Sequence, residues 1–214
     1  MKIMNALNKL LGGIGKPALL LAAFALTGTL LLAGMQTLTS GQIAENARQA
    51  LLSKINTLVD PTRYDNDPLQ DSLTLPAAVL HSAEAVTVYR LRKQGQPVAA
   101  VLITTSPEGY SGNISLVVGV NSDQSLAGVR VLAHKETPGL GDLIEVDKHD
   151  WILGFTGKSL QNPVPSGWAV RKDGGEFDQF TGATITPRAV VGAVKRVLEW
   201  VQHNPNQLFA PASQ

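Results

Sequence analysis

Residues 178–184 read Asp-Gln-Phe-Thr-Gly-Ala-Thr, and Thr186-Pro187-Arg188 follow at once. This spacing sets the hydroxyl of Thr184 just ahead of a helix start, with Thr186 expected as N-cap and Pro187 as first helical residue. Gly182 permits close backbone approach, and Ala183 leaves room for a bulky neighbour. Unpaired amides and the positive end of a helix dipole favour a phosphate there. A phosphate ester on Thr184 would thus have its charge stabilised. No His or Lys stands beside Thr184 in sequence to activate it, so a hydrolase of the Ser/His/Asp type has little support. Thr-x-Thr-Pro ahead of a helix is also what an ordinary cap looks like.

A second constellation is His134-Lys135-Glu136-Thr137-Pro138-Gly139-Leu140-Gly141. Pro138 fixes one dihedral, and Gly139 and Gly141 let the backbone come close to a ligand. Glu136 and Thr137 offer polar groups for the rim of a flat heterocycle, and Leu140 an apolar contact. His134 alone reads as a surface or strand-end residue. Asp142, Glu145, Asp147, His149 and Asp150 read as a solvated acidic face, since their spacing matches no calcium loop.

The first segment resembles the Asp-x-x-(Ser/Thr)-Gly-Ala-(Ser/Thr) signature of proteins that carry flavin mononucleotide (FMN) esterified through its phosphate to the last residue. Asp178, Thr181, Gly182, Ala183 and Thr184 all fit it. Taken together, the two segments resemble the FMN-binding domain of two related proteins. One is the C-type subunit of sodium-pumping NADH:quinone reductase, and the other is the G subunit of the Rnf ion-translocating oxidoreductase. Short loops and Thr181, where the quinone-reductase protein typically has Ser, make the chain more similar to the Rnf one. The resemblance covers nearly the whole chain. It implies a covalent FMN on Thr184 and a loop of Glu136, Thr137, Gly139, Leu140 and Gly141 facing the flavin. It also implies attachment by a separate flavin transferase using FAD and a divalent metal, and electron transfer among other subunits of a membrane complex. Trp151, Trp168 and Phe180 are candidates to pack on the ring, although core packing suits these aromatics better. The alternatives are the C-type subunit itself and a membrane-anchored module that binds a phosphoryl ligand without a covalent bond.

Composition narrows the classes further. Eighteen basic against seventeen acidic residues leave a net charge of +1, so no nucleic-acid footprint is visible. With no cysteine in the chain, disulfides, thiolate-bound zinc and iron–sulfur clusters are excluded, and redox chemistry must come from an organic cofactor or a partner. No charge occurs from Pro17 to Ala44, and 17–38 is dominated by Leu and Ala. About 20 apolar residues span a bilayer as a helix. Lys2, Lys9 and Lys16 precede the stretch, which places the N-terminus in the cytoplasm and everything after about Thr39 on the other side. The resemblance implies that this membrane is the bacterial inner membrane and that side the periplasm. A cleaved leader is the rival reading, but Met35 stands where a lipidated cysteine would have to be.

The elements that must position the two constellations follow from periodicity. Residues 40–59 are helical by apolar spacing, and 61–75 read as a loop rich in Asp, Asn and Pro. Strands are expected at 85–92, 97–104, 114–120 and 126–133, the first two forming a hairpin around Gly95. An amphipathic helix is expected over 187–203, carrying Val190, Val191, Val194, Val197, Leu198 and Val201 on one face. The expected organisation is a cytoplasmic N-terminus (1–16), a transmembrane helix (17–38), a connecting helix and loop (39–75), a periplasmic FMN-binding domain (76–205) and a frayed tail (206–214). The fold class is α+β, a largely antiparallel sheet packed by helices, with one N-terminal transmembrane helix.

Overall fold

A computed structural model describes residues 2–209, and their side chains from Gly15 onward apart from Lys16 and Leu19. Lys2, Lys9 and Lys16, which carry the orientation expectation, therefore have side chains outside the described residues, as do 210–214 of the expected tail. The chain divides into two units, Met1–Leu51 and Leu52–Gln214.

The first unit belongs to helix α1 (Lys2–Asn56). Its stretch Leu20–Asn56 is long and apolar enough to cross a membrane, by length and composition. Leu20, Leu21, Phe24, Leu30, Leu31, Leu32 and Leu38 are all exposed, an arrangement that costs little only where the surroundings are apolar. The threonines along this stretch are satisfied within the helix. Thr27 donates to the Ala23 carbonyl (2.7 Å), Thr29 to Ala25 (2.8 Å) and Thr39 to Met35 (2.7 Å). In hydrocarbon such internal bonds are the available means of satisfying a hydroxyl.

The second unit is built on a five-stranded antiparallel sheet in sequential order: β1 (Ser72–Leu75), β2 (Val86–Lys93), β3 (Gln96–Ser106), β4 (Ile114–Asn121) and β5 (Leu126–Ala133). The alternation of the sequence sorts the two faces. Ala100 and Leu102 of β3 and Leu116, Val118 and Val120 of β4 point into one core, against helix α2 (Ile185–His203). Val190, Val191, Val194, Val197, Leu198 and Val201 of α2 are buried there. Ala99, Val101 and Val117 face the other way and are buried too, on the side where Ile55, Leu58 and Val59 are also buried. Leu58 packs so near Gly119 and Gly128 that an added Cβ would meet it at 3.2 and 3.1 Å.

Two expectations need correction. Residues 61–75 are not all loop: Ser72–Leu75 pairs with β2 as an edge strand, Leu75 opposite Val86. Four residues amid Asp and Pro carry too little alternation to show, and the pairing partner supplies the order. The tail is not frayed throughout, because helix α3 (Pro205–Phe209) buries Leu208 in the main core. Between β5 and α2 the chain runs through short 3-10 turns at Gly141–Ile144, Asp150–Phe155, Pro165–Gly167 and Arg171–Asp173.

Candidate functional site

Helix α2 begins at Ile185, ahead of the start that Pro187 suggests, so Thr184 and not Thr186 stands at the N-cap. A threonine there ordinarily accepts a hydrogen bond from the amide two or three residues on. Thr184 makes no such bond and has helical dihedrals (φ −67°, ψ −31°). The residue three positions on is Pro187, which has no N–H to give. Thr186 lies buried inside the first turn, and its hydroxyl donates to Oε2 of Glu136. The Thr184 side chain is thus half-buried and uncommitted at the positive end of a 19-residue helix. Just ahead of it, the Ala183 amide donates to the Phe180 carbonyl (3.1 Å), closing a tight turn. Gly182 sits at the third position of that turn with φ +79°, a conformation glycine adopts without strain.

The 136–141 loop is a second such turn. The Thr137 carbonyl accepts the amides of Leu140 (3.1 Å) and Gly141 (3.0 Å), with Pro138 and Gly139 at the bend. Glu136 itself is 4% exposed. Its Oε1 accepts the Ser111 amide (2.9 Å), and its Oε2 takes the Thr186 hydroxyl, so both oxygens are engaged by the protein. Glu136 therefore braces three segments together and is not a free rim group. Gly141 is required by this brace, since a Cβ there would meet the Glu136 Cβ at 2.8 Å and the Thr186 Oγ at 2.9 Å. The Glu136 amide donates to Nδ1 of His134 (3.0 Å), which leaves Nε2 to donate to Glu145 (2.7 Å). His134 is an anchor at the end of β5.

These turns enclose a cleft of about 320 Å³. Of the residues singled out in the sequence, Glu136, Thr137, Leu140, Gly141, Gly182, Ala183 and Thr184 line it. Gly139, Thr181 and Asp178 do not. The Asp178 side chain is 65% exposed and pairs with Arg171 (2.9 Å), while its carbonyl accepts the Trp151 indole N–H (2.8 Å). Thr186, expected as the N-cap, also lines the cleft, as do Tyr110 and Ile185, which were not singled out. Tyr110 belongs to the turn at 109–112, which reads in sequence as a plain connection. Its signal was an aromatic beside two glycines, a poor choice for a solvated turn unless something covers it.

Trp168 and Phe180 are buried core residues, and Trp151 packs against that core. Phe155 stacks on Phe177 at 4.7 Å, and Trp151 meets Phe155 and Phe180 edge-on at 5.2 and 5.3 Å. This cluster stands behind the 180–184 turn and holds it. Asp142 is buried, so the acidic run is not solvated throughout. Among the described residues no cluster of His, Asp or Glu could hold a metal ion.

Among the described residues the cleft lining carries no Lys or Arg, so a phosphate there would rely on the α2 N-terminus and its backbone amides. Leu140 and Ile185, 41% and 42% exposed, and Tyr110, 68% exposed, offer apolar surface beside that anion site. A phosphate-binding end joined to an apolar, partly aromatic flank suits a ligand with an anionic tail and a flat heterocyclic head. The residues present fit a flavin mononucleotide.

Comparison with known proteins agrees with that geometry. Residues 109–199 match the FMN-binding domain family, and residues 4–58 match the RnfG N-terminal region. The chain is 50% identical over 195 residues to the G subunit of an ion-translocating oxidoreductase complex from Pseudomonas aeruginosa, covering 91% of each chain. The G subunits of the same kind of complex from Pseudoalteromonas atlantica and Vibrio cholerae are 46% identical over 202 residues and 44% identical over 200. These matches cover 94% of this chain and 94% of the first relative, and 93% and 95% for the second. With a cleft built on the matched domain and an apolar helix in the matched N-terminal region, the chain belongs to the G-subunit family of ion-translocating oxidoreductase complexes.

Proposed function

We propose that this protein is a membrane-anchored electron-transfer subunit that carries FMN as a phosphoester on the hydroxyl of Thr184. One observation carries the reading: Thr184 lines the cleft at the N-cap of α2 with a hydroxyl that no capping bond occupies. The helix N-terminus stabilises the phosphate charge, and Gly182 keeps the approach to it open. Leu140, Gly141 and Ile185, which line the cleft, would flank the ring of a bound flavin and keep water from one side of it. A bound flavin supplies one- and two-electron transfer, linking two-electron donors to one-electron partners. The chain's own part is to hold and orient the cofactor.

Attachment belongs to a separate flavin transferase acting on the 178–184 segment, with FAD as donor. The Thr184 oxygen loses its proton and forms the bond to the FMN phosphorus as AMP departs. The exposed Asp178 is available to such a partner. The remaining partners are the other subunits of the complex, and α1 is the anchor. The N-terminus lies in the cytoplasm and the 76–205 domain in the periplasm, as the three N-terminal lysines favour.

The test is to co-express the chain with a flavin transferase and inspect a denaturing gel under ultraviolet light. The expected result is a fluorescent band, a mass gain of one FMN less one water, and loss of both in Thr184→Ala. A dark wild-type band with active transferase overturns the tether. If that chain nevertheless takes up FMN reversibly, it is a non-covalent phosphoryl-ligand module.

A further inference from the structure

We propose that Tyr110 is the aromatic residue that contacts the flavin ring in this cleft, held in place by Glu136. The inference rests on the FMN reading above and adds a residue to it. Three aromatic residues near the motif are spent in the ring cluster, Trp151 against Phe180 and Trp168 against Phe155 and Phe177, and none lines the cleft. Tyr110 is the aromatic side chain that does line it, and it is 68% exposed.

An aromatic ring left that open on a loose loop would not stay aimed at a ligand, but this turn is not loose. The Ser111 amide, next in the chain, donates to the buried Glu136 carboxylate (2.9 Å). Gly109, the preceding residue, fits so tightly that a Cβ would meet the Gly112 carbonyl oxygen at 2.2 Å and Glu136 Oε1 at 2.9 Å. The same carboxylate takes the hydroxyl of Thr186, in the first turn of α2 just beyond the tether. Glu136 thereby fixes the spacing between the segment bearing Tyr110 and the segment bearing Thr184. An exposed aromatic on a braced turn at the edge of an apolar cleft stacks favourably on a flat heterocycle. Tyrosine in such contact also quenches flavin emission by donating an electron to the excited ring, an ability phenylalanine lacks.

The experiment uses the full chain, flavinylated and purified in detergent, and compares native flavin emission with that of the same sample after denaturation. Wild type is expected to be strongly quenched when native. Tyr110→Phe and Tyr110→Leu are expected to raise native emission several-fold, with denatured emission and the covalent gel band unchanged. Tyr89→Phe, whose tyrosine does not line the cleft, serves as control and should leave emission as in wild type. Unchanged native emission in both Tyr110 variants, with the covalent band intact, overturns the contact and leaves the tether standing. Absence of the band in wild type overturns the tether and this inference with it.

Discussion

At the residue scale the site turns on three hydroxyl-bearing positions that look alike in sequence and differ in their hydrogen bonds. Thr181 is exposed outside the cleft, Thr186 is bound to Glu136, and Thr184 is uncommitted within the cleft. The Thr186–Glu136 bond is also a stability element, because it satisfies one oxygen of a carboxylate that is almost fully buried. Thr186→Val keeps the shape and removes the donor. Leaving a buried charged acceptor short of a partner costs about 1–3 kcal/mol or more. The variant should melt at lower temperature than wild type while still accepting flavin in the gel assay. An unchanged melting temperature would show that Glu136 finds another donor or water.

At the element scale, α2 is held from both sides. The aromatic cluster backs the 180–184 turn, and Arg188 in the first helical turn reaches across to Asp173 through Nε (2.6 Å) and Nη2 (2.9 Å). The Arg188 hydrogen bond holds the Asp173 carboxyl below the usual carboxylate range, and the same bond raises Arg188. An acid whose folded value is depressed contributes stability above its unfolded value and loses that contribution as pH falls through the folded one. The pair is exposed, so its effect is small and screened by salt. Asp173→Asn should therefore lower the melting temperature slightly at neutral pH. The gap to wild type should close below the usual carboxylate range and shrink in high salt. A gap that persists in acid would assign the loss to packing.

At the scale of the whole molecule, the division between Leu51 and Leu52 does not coincide with the end of α1. Ile55, Leu58 and Val59 are buried and belong with the sheet, where Leu58 lies over Gly119 and Gly128. Residues 52–214 should thus fold and stay in solution without detergent. A chain beginning at residue 61 should be far less stable, since each large buried aliphatic removed costs about 2–5 kcal/mol. Urea unfolding of the two fragments checks this, and equal midpoints would mean that the 55–59 segment contributes no packing.

The local signals were strong where a segment's own pattern decides its structure. Alternation from Val86 to Ala133 was enough to read four of the five strands, and the valine stripe enough to read α2, because periods of 2.0 and 3.6 are set by backbone geometry alone. The Pro138-Gly139 pair marked one site turn through the dihedrals those residues favour, while Gly182 was legible only as a place of close backbone approach. The types of side chain that handle a phosphate and a heterocycle were equally plain in the 178–184 and 136–141 segments. What the chain order cannot express is which side chains meet. Strand β1 and the buried Leu208 exist as structure only because β2 and the core receive them. Glu136 changes from rim group to brace because Ser111 and Thr186, 25 and 50 residues away along the chain, converge on it. Asp178 stands outside the cleft because Trp151 and Arg171 hold it there. Sequence by itself determined the elements and the kind of chemistry, through local dihedral preference and periodicity. Only the tertiary structure decided that Thr184 is the uncommitted hydroxyl and Tyr110 the aromatic beside it, because those contacts depend on long-range packing that no local pattern encodes.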